Sequence, residues 1–241
     1  MHQHSLNQQL FLILFVSFSL TCLLANTSSA QIALGQVDDF SVAGDALGWV
    51  QGGSSATPPA HNIGLGPDGS AGHLEVVSGA LGQPRLLFWN QTQWTGDYTS
   101  AGVSRIRLFA DNRSSAGAGG GADINLRLAL RGPSNDWYVT DAVPLADGSG
   151  WTSLLFDLDP TSLTSAAGPN NGAAAALASV ERLELLSALN VPGTGNSPGV
   201  LQGDLLTASL RIDNITAIPE PSSMAMLTLT ALSGAVVRRR R

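Results

Sequence analysis

The sequence predicts an all-β fold, a two-sheet antiparallel β-sandwich, on three observations. Apolar and polar residues alternate at period two in about ten short segments. Clusters of Gly, Pro, Asn and Asp separate those segments, with 27 glycines in the chain. Strong helix formers other than Ala and Leu are scarce. In chain order eight of these segments are HLEVVS, RLLFWN, SRIRLFAD, DINLRLALRG, WYVTDAV, WTSLLFDL, VERLELL and LLTASLRIDNI. The clearest is DINLRLALRG, in which Ile124, Leu126, Leu128 and Leu130 face one way and Asn125, Arg127 and Arg131 the other. Ile106 and Leu108 oppose Arg105 and Arg107 in the same manner. Inward Leu, Ile and Val from two such sheets make a core about 10 Å thick. GAAAALASV, from Gly172 to Val180, is the one helical turn expected. The Gly-rich insert from Ser114 to Asp123 has no lysine and no helix after it, so it reads as a hairpin connection and not as a phosphate loop. Gly52 to Asn62 reads as a surface loop.

Composition removes several function classes. Between Gln31 and Ile218 there are 8 arginines against 17 acids, a net charge of −9, and the whole chain lacks lysine. Such a surface has no footprint for nucleic acid and is repelled by anionic lipid. The one cysteine, Cys22, lies in the N-terminal apolar run, leaving the rest without disulfide or thiol chemistry. Only His61 and His73 remain there as histidines, too few for a zinc or iron site of ordinary make-up.

Both ends read as targeting segments. Residues 1–30 hold an apolar run from Leu10 to Leu24 followed by ANTSSA, which fits a secretory signal peptide cleaved between Ala30 and Gln31. A retained N-terminal anchor is the alternative. Residues 218–241 begin with Pro219, Glu220 and Pro221, continue through an apolar stretch from Met224 to Val237, and end in Arg238, Arg239, Arg240 and Arg241. As a helix that stretch is about 21 Å long, short for a bilayer core of about 30 Å. The arginines act as a cytoplasmic stop signal, leaving the preceding domain outside. A short transmembrane helix of this kind suits transient anchoring followed by removal.

The order of Pro-Glu-Pro, short apolar helix and arginine cluster resembles the PEP-CTERM sorting signal. That resemblance implies processing by an exosortase, a membrane enzyme linked to exopolysaccharide production, with Pro219, Glu220 and Pro221 as the recognised element. It also implies transient inner-membrane anchoring and release to the cell surface or extracellular matrix.

Residues 31–217 form the central domain. Its phrases VDDFS…GWVQGG, FWNQTQWTGDYTSAGV, WYVTDAVPL…GSGWTSLLFDL and LRIDNITAI resemble bacterial extracellular jelly-roll domains of the galactose-binding-like type, which include many carbohydrate-binding modules. The resemblance implies a structural calcium joining first and last strands, with Asp38, Asp39 and Asp213 as candidate ligands. Adjacent strand residues point to opposite faces, so only one of Asp38 and Asp39 would serve. Simple solvation of strand-end acids is the alternative. It also implies that aromatic faces stack on sugar rings. Trp89, Trp94, Tyr98 and Tyr138, with Trp137 beside the last, are the candidate ligand-binding residues, and the polar setting of Trp94 favours it as the exposed one. Trp49 and Trp151, each after a glycine, read as core plugs.

An enzyme needs a constellation. Asp157 and Asp159 project to one face at about 6.7 Å axial spacing, within range of a glycosidase pair. No Gly-x-Ser-x-Gly elbow and no His-Glu-x-x-His motif accompany them, and no catalytic residue is assigned. The expectation is an exported, non-catalytic binder of extracellular polysaccharide, with neutral glycans first because of the acidic surface. A purely structural matrix protein and a secreted polysaccharide-degrading enzyme are the alternatives.

Overall fold

The computed structural model describes residues 31–52, 57–67, 69, 72–78, 85–113, 121–194 and 199–220. The early strands are β1 (Val37–Asp38), β2 (Trp49–Gln51), β3 (Ala60–Ile63), β4 (Gly72–Val77), β5 (Leu87–Asn90), β6 (Val103–Arg113) and β7 (Ile124–Gly132). Then come β8 (Asp136–Val139), β9 (Val143–Leu145), β10 (Thr152–Asp157) and β11 (Thr164–Ala167). Helix α1 (Ala173–Leu177), β12 (Arg182–Ser187) and β13 (Ser209–Pro219) complete the order. All pairings are antiparallel, in two sheets. The first runs β10-β6-β13-β4-β3, with β1 also on β13; the second runs β11-β8-β7-β12-β5-β2, with β9 also on β7.

Alternation places the core where the sequence puts it. Ile106, Leu108, Leu128, Leu130, Phe156, Leu183, Leu185 and Ile212 are buried between the sheets. The second sheet is also covered on its outer side. There Leu87, Ala129, Trp137, Val139 and Leu186 form another apolar cluster, capped by Val200 and Leu201. Arg127 ties down this cover, donating from Nε to Ala188 O (2.8 Å), from Nη1 to Thr140 O (2.7 Å) and from Nη2 to Leu189 O (2.8 Å). β12 is consequently buried at every position, more like a central strand of a three-layer fold than a half-exposed one.

Two details depart from the sequence reading. β6 belongs to the first sheet and β7 to the second, so the two strands do not pair as the hairpin expected across the Gly-rich insert, whose residues 114–120 lie outside the described residues. Also, β13 runs through to Pro219, whose register partner is Val103. The expected helical turn is present as α1, which packs against β7 at Gly132, where an added Cβ would lie 2.8 Å from the Ala176 backbone.

Gly72, at the start of β4, passes so close to the backbone at Phe40 that a Cβ there would fall 2.0 Å from Phe40 O. Substituting Gly72→Ala must displace backbone and should cost about 1–3 kcal/mol in urea unfolding, with the slope unchanged. An unaltered midpoint would show that this crossing is loose.

Candidate functional site

The structure divides the candidate aromatics by whether a ring face is open. Trp94, expected to be exposed, is fully buried, and so is Tyr98, whose hydroxyl donates to Trp94 O at 3.0 Å. Tyr138 points into the sandwich core; its hydroxyl donates to Asn170 Oδ1 (2.9 Å) and accepts from Gly172 N (2.7 Å), which fixes the entrance to α1. Trp137 faces the opposite way but lies under the Val200–Leu201 cover. A buried ring has no face for a sugar, so Trp94, Tyr98 and Tyr138 cannot serve as stacking platforms in this fold. Trp49 is a core plug as expected. Trp151 is half-buried instead, with its Nε1 on Leu65 O (2.7 Å) and the Arg211 guanidinium 5.1 Å from its ring centre.

Trp94 is buried because of Asp38. The Asp38 carboxylate accepts from Trp49 Nε1 (2.7 Å) and Trp94 Nε1 (2.6 Å) on Oδ2, and from Gln93 Nε2 (2.8 Å) on Oδ1. The two indoles sit 6.2 Å apart at a tilt of 52°. Burial raises the Asp38 pKa above its ordinary value of 3.8, and the three donors oppose that rise. With these oxygens facing N–H groups, Asp38 does not fit the expected calcium. Asp39 turns to solvent, where Oδ1 accepts from Ser41 N (3.1 Å) and Ser41 Oγ (2.9 Å). Asp213 is buried in a bulge of β13 and accepts from Asn214 N at 2.6 Å. Among the described residues no group of three His, Cys, Asp or Glu side chains is placed to share a metal ion.

The proposed carboxylate pair is also taken up locally. Asp157 pairs with Arg105 Nε at 2.6 Å on the open side of β10. Asp159 caps a turn, accepting from Thr161 N (2.8 Å) and Thr161 Oγ1 (2.5 Å), and those bonds lower its pKa.

On the outer side of the second sheet Trp89, Gln91 and Arg131 keep some exposure to solvent. Trp89 in β5 is half-buried, its Nε1 donating to Gly52 O at 2.9 Å, and the Arg182 guanidinium lies 4.2 Å from the ring centre. This stacking contributes about 1–2 kcal/mol when desolvated. Arg182 is held by Gly199 O (2.6 Å) and approaches Glu184 Oε2 at 3.8 Å. Glu184 is fully buried; burial pushes its pKa up to about 8, and its Oε1 accepts from Leu201 N at 3.2 Å. Arg131 pairs with Glu181 at 3.3 Å. With its carboxamide oxygen turned inward, Gln91 accepts from Arg182 Nε (3.0 Å), Arg182 Nη2 (2.8 Å) and Arg131 Nη2 (3.0 Å). Beside it opens a shallow cleft of about 570 Å³, lined by Gln91, Thr92, Thr95, Gly96, Val180 and Glu181.

Of the predicted binding residues the structure therefore leaves Trp89 half-buried on the outer side of the second sheet and places Arg131 and Arg182 beside it. Strand alternation already placed Arg131 on the outward side; what it lacked was the neighbouring strand that brings Arg182 beside it and onto Trp89. Pro219 and Glu220 lie at the end of β13, while Ala30, Pro221, Arg238 to Arg241 and both apolar runs lie outside the described residues. Among the described residues no helix is long and apolar enough to cross a membrane.

Residues 217–241 match the family model described as the PEP-CTERM protein-sorting motif, so the chain carries that motif at its C-terminus. No curated protein matches the sequence. Among solved structures, the chain is similar to an exo-β-agarase at a TM-score of 0.51 and 9% identity, over 78% of this chain and 25% of that one. It is similar to a second agarase at 0.49 and 12%, over 78% and 26%. A family 11 carbohydrate-binding module of a cellulosomal cellulase from Clostridium thermocellum gives 0.45 and 12%, over 78% and 96%. The chain thus spans about a quarter of either agarase. The first likeness is one of fold, and it agrees with the two-sheet architecture.

The Asp38 cluster yields a paired test. Asp38→Ala strands two buried indole N–H groups and should cost about 3 kcal/mol or more in chemical unfolding. Asp38→Asn keeps an acceptor for the indoles, with Gln93 free to turn its own oxygen to the new amide, and should cost about 1 kcal/mol. Because the folded pKa is raised, wild type's margin over Asp38→Asn is full below pH 3.8 and shrinks as pH rises through the folded value. A margin that grows with pH would contradict the assignment.

Proposed function

We propose that this is an exported, exosortase-processed protein whose sandwich binds extracellular polysaccharide and performs no chemistry on it. The PEP-CTERM motif indicates export and a place at the surface or outside the cell. The observation that carries the binding reading is the Trp89 edge. There the half-buried Trp89, with the Arg182 guanidinium 4.2 Å from its ring centre, lies near Arg131 of β7 and Arg182 of β12, and Gln91 beside them borders a cleft. The apolar C–H face of a sugar ring packs on an indole, while guanidinium groups orient its hydroxyls. The absence of catalysis is supported by the engagement of Asp157 and Asp159, which hold a surface ion pair and a turn rather than flank a cleft.

Retention of the processed protein on a panel of soluble and insoluble polysaccharides tests this. Trp89→Ala should weaken selective retention about tenfold or more, whereas Trp151→Ala, on the other sheet, should leave it within about twofold. Absence of selective retention on every polymer would leave the structural-matrix reading. C-terminal mass spectrometry of the extracellular form should find Arg238 to Arg241 missing and the new end at or beyond Pro219, because β13 pairs with β6 up to that residue. A terminus upstream of Ala217 would mean that sorting strips the sheet.

A further inference from the structure

We propose that Arg131 and Arg182 form a carboxylate site, and that the polysaccharide held at the Trp89 edge is an acidic one, a uronate taking the place that the Gln91 carboxamide now fills. This rests on the polysaccharide-binding reading above and names its substrate class.

Three guanidinium N–H groups, Arg182 Nε and Nη2 and Arg131 Nη2, converge on one oxygen at 2.8–3.0 Å. Arg182 thus presents its Nε and Nη2 edge, the donor pair with which an arginine takes a carboxylate, and here the occupant is a neutral amide. The remaining contacts of the pair are structural: Arg182 Nη1 goes to Gly199 O, and Arg131 Nε faces Glu181. The converging groups thus stand apart from those that hold the fold. Arg182 is 7% exposed and stacked on Trp89, so its fork is fixed before any ligand arrives. Gln91, by contrast, is exposed, lies one residue past β5 and borders the cleft, so it can swing away without disturbing a strand.

Charge supports the same ligand. The region is acidic overall, which from sequence pointed to neutral glycans. At this site two arginines face one solvent-exposed carboxylate, Glu181, while Glu184 is fully buried and burial pushes its pKa up. Contact charges prevail over more distant ones, which salt screens beyond about 10 Å.

The test uses the processed protein with polygalacturonate and alginate, the methyl esters of both, and a neutral β-glucan. Binding to an acidic polymer should exceed binding to its ester about tenfold or more. Gln91→Glu places a tethered carboxylate on the fork, so it should raise Tm while weakening acidic-polymer binding about tenfold. Gln91→Ala vacates the fork and should bind as well as wild type or several-fold tighter. Arg182→Gln would remove the fork but also the Trp89 and Gly199 contacts, so the Gln91 variants carry the decision. Equal binding of acid and ester, or binding of the neutral glucan alone, would overturn the carboxylate site and leave polysaccharide binding standing. So would a Gln91→Glu variant that binds the acidic polymers unchanged. No binding to any polymer would overturn both.

Discussion

The buried Asp38 carboxylate is the constraint on which the arrangement of this sandwich depends. A short strand of two residues has little pairing of its own, with Val37 on Thr216 and Asp38 on Ile215 as its only register partners. Its side chain supplies what the ladder cannot. By accepting from Trp49, Trp94 and Gln93 it binds the first strand to the start of β2 and to the loop after β5. A carboxylate in an apolar setting is costly, and three donors make it tolerable. The loop it fixes is the one that carries Gln91 and Thr92 to the open edge. A fold contact and the site geometry therefore share one acid.

Much of the sandwich was legible because alternation is a local property. Ile124 to Leu130 and Ile106 to Leu108 fall on the inner faces as read, and α1 lies where the alanine run stands. Less legible was whether an outward face meets solvent. Trp137, Leu87 and Leu186 point away from the core and are nonetheless buried, because Val200 and Leu201 pack over them. Local polarity misled at Trp94 for a similar reason. Its polar neighbours form the turn, while its indole reaches Asp38, 56 residues earlier in the chain. Asp38 itself reads as a metal ligand only while its donors are unknown. Nothing within a short window of sequence pairs an aspartate with two distant indoles.

The cover over the second sheet also explains why one edge is left for binding. Arg127, Arg182 and Glu184 all hold that cover through backbone groups, at Ala188, Leu189, Gly199 and Leu201. Trp89 packs at the margin of that cover, and Arg131 and Gln91 lie beside it. Net charge, an average over the surface, could not reveal that two of the eight arginines between Gln31 and Ile218 converge there. The C-terminal motif was readable for the opposite reason, since its three parts are contiguous and owe nothing to tertiary contacts. In the structure its first residues double as the end of β13, so sorting signal and folded sheet meet without a spacer.

The central claim is that the indoles are divided, with Trp49 and Trp94 committed to Asp38 and Trp89 left to face ligand. A ¹⁵N–¹H spectrum resolves the five indole N–H signals of this chain directly. During titration with a retained polysaccharide fragment, the Trp89 signal should move while those of Trp49 and Trp94 stay fixed and exchange slowly with deuterium. Rapid exchange at Trp94, or a ligand-induced shift there and none at Trp89, would contradict the account.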